Sequence, residues 1–127
     1  MSPSISIIIP YYRKKKFFKK TIKSVLEQTH KNFEIILIYD DIDKTELPFV
    51  KLTLRKIKNV KIIINKKNLG AGYSRNIGIK KSKSRLISFL DSDDTWHKDK
   101  LKKQIKFMKI NKVDFSVRYT NPPLLFA

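Results

Sequence analysis

Short blocks of apolar residues alternate along the chain with segments in which apolar residues recur every three or four positions, a pattern that predicts strands alternating with helices. Ser4 to Ile9 is an apolar, β-branched run closed by Pro10, and it reads as a buried strand. Behind the basic stretch Arg13 to Lys16, Phe18, Ile22, Val25 and Leu26 follow at helical spacing, which predicts an amphipathic helix with one apolar stripe. Phe33 to Tyr39 is a second apolar run that ends in a polar turn holding Asp40, Asp41 and Asp43. Leu47 to Ile57 has weaker helical character, with Pro48 suited to an early helix position. Val60 to Ile64 predicts a third strand, and Tyr73 to Lys83 a helix with Ile77 and Ile79 inward. A fourth strand, Leu86 to Leu90, runs directly into Asp91, Ser92, Asp93 and Asp94. Trp96, Leu101, Ile105 and Met108 mark the apolar face of a further helix, entered through Asp94 or Thr95 as N-cap. Val113, Phe115 and Val117 alternate with polar residues and predict a half-exposed edge strand.

Near-continuous apolar strands separated by helices imply an α/β fold, a Rossmann-like and mostly parallel sheet with helices on both faces. In such sheets ligands sit beyond the carboxyl ends of the strands. The polar clusters fall at those ends: Tyr11 to Arg13, Asp40 to Asp43, Asn68 to Gly72 and Asp91 to Asp94. Four strand ends are thus expected to converge on one crevice. The chain of 127 residues is long enough for one domain with its own core, here assigned to residues 1–118, with 119–127 as an irregular tail.

Composition adds a strong charge. The net charge of +18 invites a lysine-rich module that binds nucleic acid or an anionic membrane surface, because counterion release drives such binding without specific contacts. The basic residues are nearly all lysine and are spread from Lys14 to Lys112, however, whereas nucleic-acid surfaces favour arginine forks and interleaved aromatics. A solvated surface is therefore the favoured reading, nucleic acid is not an expected partner, and peripheral attachment to an acidic membrane stays open. With no cysteine, disulfides, thiolate metal sites and cysteine nucleophiles are excluded. No apolar run approaches a membrane span and the first ten residues lack a signal-peptide pattern, so a cytoplasmic protein is expected.

The cluster Asp91, Ser92, Asp93 carries the sharpest chemistry. In an extended segment residues i and i+2 point the same way, so both carboxylates can face one ligand. Hard divalent cations such as Mn²⁺ or Mg²⁺ are bound by one or two carboxylates together with the phosphates of a substrate. The bland reading, an acidic helix cap, holds for an isolated pair of this kind.

The order of motifs resembles the family 2 glycosyltransferases, which share the GT-A fold. The matching pieces are Ser6 to Tyr12, Ser24 to Ile38, Asp40 with Asp41, Asn68 to Ile79, and Phe89 to Trp96. The resemblance implies a site that binds a nucleotide-diphosphate sugar, a UDP-sugar first of all. Pro10 and Tyr12 would lie against the base, the pair Asp40 and Asp41 would hydrogen-bond base or ribose, and Asp91 would sit near the ribose. Asp93 would hold the metal, while Gly70, Gly72, Arg75 and Asn76 would meet phosphate or sugar hydroxyls. Two departures stand out. The chain has Tyr11, Tyr12, Arg13 where the family usually has Thr-Tyr-Asn, and Ile42 and Asp43 where Gly-Ser usually follows the aspartates.

The family's general base is a carboxylate well beyond the aspartate cluster, and nothing after Asp94 resembles that second half. The expectation is therefore a donor-binding half-domain of a transferase for surface polysaccharide or glycolipid assembly, with weak turnover at most. It would act in the cytoplasm, free or peripherally at the inner face of the membrane. A remnant that aggregates is a further alternative, which solubility and a cooperative melt would discriminate. His30, His97, Glu27 and Glu34 read as surface groups, and Trp96 as a packing anchor beneath the acidic loop.

Overall fold

The computed structural model describes residues 3–111 and 125–126. Its elements are β1 (Ile5–Tyr11), α1 (Lys15–Leu26), β2 (Phe33–Tyr39), α2 (Leu47–Leu54), β3 (Val60–Ile64), α3 (Ala71–Lys81), β4 (Leu86–Phe89), α4 (Lys100–Asn111) and β5 (Leu125–Phe126). The strands form one sheet in the order β3-β2-β1-β4-β5, and every neighbouring pair is parallel. This is the expected α/β architecture. The strand predicted at Val113 to Val117 and the domain boundary at residue 118 lie outside the described residues, while Leu125–Phe126 pairs with Leu86 and Ile87 of β4.

Alternation along the two central strands divides the core into two layers. Ile5, Ile7, Ile9 and Tyr11 of β1, with Phe33, Ile35, Leu37 and Tyr39 of β2, face Phe18, Ile22 and Val25 of α1, Val50 and Leu54 of α2, and Leu101 of α4. Ile8, Ile36 and Ile38 face the opposite way, onto Ile77 and Ile79 of α3. Both central strands are buried on both sides, which is why they read as unbroken apolar runs. β3, at an edge, is only partly covered.

α1 has no side-chain N-cap and no acidic residue in its first turn, so local signals do little for it. Its three buried apolar side chains hold it instead, each worth about 1.5–3 kcal/mol over exposure. α3 differs from its prediction in two respects. It begins at Ala71, after Gly70 at φ 93°, and its buried positions are the small residues Ser74 and Gly78, with the isoleucines flanking them. A methyl group on Gly78 would meet Cγ2 of Ile8 at 2.5 Å, so this helix lies unusually close to β1.

α4 begins at Lys100, not at Asp94 or Thr95 as expected. Its start is fixed from outside the helix by the buried Gln28, which donates to the carbonyl of His97 at 2.6 Å and accepts from the backbone N–H of Leu101 at 3.1 Å. The long-range bond from Gln28 takes over the role that a local cap would have had. Trp96 packs partly buried against the main core, with the ammonium of Lys100 4.5 Å from its ring centre.

Glu34 is a correction. It is buried, not a surface group, and its carboxylate accepts from the Ser6 hydroxyl at 2.5 Å and the Lys83 N–H at 3.0 Å, with the Lys61 ammonium at 3.6 Å. It ties β2 to β1 and to the α3–β4 turn at the amino-terminal side of the sheet. Among the described residues no helix is long and apolar enough to cross a membrane.

Candidate functional site

β1 is flanked by β2 on one side and β4 on the other, so the chain winds away from it in both directions. Such a switch point leaves a crevice at the carboxyl ends of the strands. A cleft of about 270 Å³ lies there. Pro10, Tyr11, Tyr12 and Lys14 line it from β1 and the turn that follows, and Asp40 from the end of β2. Ala71 and Arg75 of α3 and Asp91, Ser92 and Asp93 after β4 complete its wall.

Pro10, Tyr12, Asp40, Arg75, Asp91 and Asp93 were all singled out from sequence, and they share this one cleft. Gly70, Asn76 and Asp41 do not line it. Gly70 stands next to it as the residue before α3, Asn76 lies exposed within α3, and Asp41 is buried behind the turn. Gly72 is exposed in the first turn of α3, with open space where a side chain would go.

The two adjacent aspartates do different work. Oδ1 of Asp40 accepts from the Leu69 N–H at 2.7 Å and from Asn65 Nδ2 at 2.9 Å. Its Oδ2 accepts from the Gly70 N–H at 2.8 Å and from Asn68 Nδ2 at 3.3 Å. A carboxylate offers about four lone-pair positions, and here all are taken by the loop between β3 and α3. The bond to Asn68 is the longest, and it is the one a ligand donor would most readily replace. Asp41 accepts from Arg13 Nε at 3.0 Å and from the Asp43 N–H at 3.0 Å, which closes the turn after β2.

Asp91 and Asp93 do not sit in an extended segment. The N–H of Asp94 bonds the carbonyl of Asp91 at 3.0 Å, so the segment is a turn, and it still presents both carboxylates to the cleft. Ser92 between them is buried, with its carbonyl accepting from the Thr21 hydroxyl of α1 at 3.0 Å, which fixes the turn from below. Both acidic side chains are substantially exposed, and each meets a single cation: Arg75 at 2.9 Å from Asp91, and Lys14 at 3.3 Å from Asp93.

Among the described residues no group of three or more His, Cys, Asp or Glu side chains is arranged to hold a metal ion. The donor set nevertheless suits a hard divalent cation. Two exposed carboxylates facing one cleft supply the oxygen ligands that Mg²⁺ or Mn²⁺ takes from protein when a substrate's phosphates supply others.

Tyr12 projects half-exposed at the cleft mouth, with the guanidinium of Arg13 4.9 Å from its ring centre. Arg13 itself has φ 51°, a left-handed conformation that asparagine tolerates and arginine rarely adopts. Tyr11 is an anchor more than a turn residue. It is buried, stacked on Tyr39 at 5.6 Å and edge-on to Phe18 at 5.0 Å, and its hydroxyl donates to Glu46 at 2.6 Å. Burial, and then the Glu46 carboxylate, raise its pKa far above the ordinary tyrosine value.

The family model for glycosyl transferase family 2 matches residues 6–122. The chain belongs to this family. A relative from Escherichia coli, the UDP-Glc:α-D-GlcNAc-diphosphoundecaprenol β-1,3-glucosyltransferase WfaP, is 42% identical over 119 residues, covering 92% of this chain and 45% of the relative. Among solved structures, Staphylococcus aureus TarS in complex with UDP-GlcNAc superposes with a TM-score of 0.79 at 26% identity, over 90% of this chain and 33% of the other. The mannosyltransferase PcManGT from Pyrobaculum calidifontis, solved with GDP-Man and Mn²⁺, shares the fold at a TM-score of 0.75 and 15% identity, over 85% and 33% of the two chains. Divalent metal use thus occurs among GT-A neighbours of this chain. The chain spans less than half the length of the curated relatives it matches. Nothing in these likenesses supports the lysine-rich binding module suggested by charge alone.

Sequence reasoning missed Lys14 and Asn65. Lys14 is hidden among neighbours of its own kind, and only its place at the head of α1 distinguishes it. Asn65 is the first polar residue after β3, and it bonds both Asp40 and Ser74 at 3.2 Å or less. A buried amide directly after a strand was the available signal.

Proposed function

We propose that this chain binds a nucleotide-diphosphate sugar, with a UDP-sugar first among candidates, and supplies the donor side of glycosyl transfer to an acceptor hydroxyl. The carrying observation is that Tyr12, Arg75, Asp91, Asp93 and Lys14 line one cleft at the switch point of a parallel sheet. Tyr12 offers a ring face to the base, with Pro10 beneath it, and Asp40 holds the loop that walls the base side. Asp91 faces the ribose. Arg75 and Lys14 are cations suited to a diphosphate, and the heads of α1 and α3 both abut the cleft, where helix dipoles favour anions.

Asp93, with Asp91 beside it, would hold Mn²⁺ or Mg²⁺. That ion supplies positive charge that stabilises the diphosphate as it leaves. The acceptor's proton needs a base, and that role is assigned to no residue of this chain.

Titration with UDP, GDP and dTDP, with and without Mn²⁺ or Mg²⁺, tests the reading by thermal shift and calorimetry. Stabilisation that requires metal and disappears in Asp93→Ala supports it. Indifference to every nucleotide diphosphate and its sugars overturns it.

Peripheral attachment at the cytoplasmic face of a membrane belongs to the same proposal. α1 carries five lysines and no acidic residue, and Phe17 stands exposed among them. Binding to vesicles rich in anionic lipid, lost on raising salt and on Phe17→Ser, is the expected result, and equal recovery with neutral vesicles would refute it.

A further inference from the structure

Lys14, a cation suited to a diphosphate, is engaged in this structure by another group of the same cleft. Its backbone is fixed: its carbonyl accepts the N–H groups of Phe17 and Phe18, each at 3.0 Å, as the N-cap of α1. Its side chain caps nothing and reaches across the cleft to Asp93, 3.3 Å away. On the other wall Arg75 reaches Asp91 in the same manner at 2.9 Å. Each carboxylate offered to a cation is held by a cation of the protein itself.

We propose that Lys14 is an exchangeable counter-cation that couples metal binding to nucleotide binding. A divalent ion can take Asp93 only when the Lys14 ammonium leaves it. Once released, that ammonium stays tethered at the cleft rim, where a diphosphate gives it a new anionic partner. Conversely, a diphosphate that draws Lys14 away uncovers Asp93 for the ion. Each ligand removes the obstacle to the other, and the coupling is reciprocal by thermodynamic necessity.

The size of the effect follows from exposure. Both side chains of the Lys14 pair are about 40% exposed, so the pair alone is worth at most about fivefold in an equilibrium constant. Repulsion between a retained ammonium and a divalent ion adds to that. The inference rests on the donor-site reading and goes beyond it in one feature, a sign. An ordinary phosphate-binding lysine, when neutralised, weakens nucleotide binding and leaves metal binding alone. A counter-cation, when neutralised, strengthens binding of the metal alone and weakens binding of the nucleotide with metal.

The experiment measures Mn²⁺ affinity by electron paramagnetic resonance and UDP affinity in saturating Mn²⁺ by calorimetry, for the wild type, Lys14→Gln and Lys14→Arg at low salt. Lys14→Gln should bind Mn²⁺ alone about three- to tenfold more tightly, and UDP with Mn²⁺ weaker by a similar factor. Lys14→Arg should stay within about twofold of wild type in both. A thermal melt of each variant checks that the fold is retained, which the exposed, non-capping side chain leads us to expect. Unchanged or weaker Mn²⁺ binding in Lys14→Gln, with the wild type binding UDP and Mn²⁺ normally, overturns this inference alone. A wild type that binds no UDP in Mn²⁺ overturns the donor-site reading, and this inference with it.

Discussion

The aspartates after β2 and those after β4 border the same cleft, yet they are held in opposite ways. Asp40 is buried and each of its oxygens accepts two hydrogen bonds from the following loop, two of the four donors being backbone N–H groups. Asp91 and Asp93 are exposed, each with one ion pair to a long, partly exposed side chain. A carboxylate whose lone pairs are all committed to neighbouring backbone and amide donors is part of the frame. One whose only partner is a solvated cation remains available to a ligand, because exchanging that partner costs little.

The sharpest way to break this contrast is to remove one member from each side. Asp40→Ala strands two backbone N–H groups and takes a partner from the buried Asn65 amide, so a loss on the order of 3 kcal/mol is expected in chemical denaturation. Asp93→Ala should change stability by less than about 1 kcal/mol while eliminating metal-dependent stabilisation by nucleotide. If Asp93→Ala unfolds the protein, or Asp40→Ala melts like wild type, the division between frame and ligand side is wrong.

Glu34 extends the comparison to the far end of the sheet. Burial opposes its ionisation, but the Ser6 hydroxyl, the Lys83 N–H and Lys61 outweigh it and hold its pKa below the ordinary value of 4.5. A depressed carboxylate contributes stability that is present above its unfolded pKa and is lost as pH falls through the folded one. The melting temperature of the wild type should therefore exceed that of Glu34→Gln near neutrality, and the gap should close below about pH 4.5. A gap that widens on acidification would refute the assignment.

Two smaller effects sharpen the picture. Arg13→Asn relieves a left-handed arginine but removes the ion pair to Asp41, and with the two effects opposed the midpoint in denaturant melts should stay close to that of the wild type. A large loss would mean that the Arg13–Asp41 pair belongs to the frame. Burial also lowers the pKa of Lys100 to about 8. The fluorescence of Trp96, the chain's one tryptophan, should thus change with a midpoint near that pH as the cation over its ring is lost. Stability should rise from there towards the ordinary lysine pKa, because over that range the unfolded chain binds the extra proton.

Much of this was legible in the sequence. The buried strands announced themselves because both faces of β1 and β2 are covered, and Pro10, Tyr12, Asp40, Arg75, Asp91 and Asp93 followed from their places at strand ends or in the first turns of α3 together with the family resemblance. What escaped depends on contacts between residues far apart in the chain. The start of α4 is set by Gln28, about seventy residues earlier, which no local capping rule registers. Glu34 looked like a surface group because a lone acid in a strand gives no hint of the Ser6 hydroxyl and Lys83 N–H that receive it. The small residues of α3 escaped for another reason: Ile77 and Ile79 do turn inward, but periodicity rewards large apolar residues, while a helix seated close to a sheet selects small ones at its most buried positions.

That close seating reaches further than packing. Gly78 lies one helical turn after Arg75, so the gap between its α-carbon and Ile8 works as a spacer that sets how far Arg75 projects towards Asp91. A methyl group added there would wedge the helix outwards and carry the guanidinium with it. The Arg75–Asp91 pair is thereby calibrated from beneath, by a residue outside the cleft.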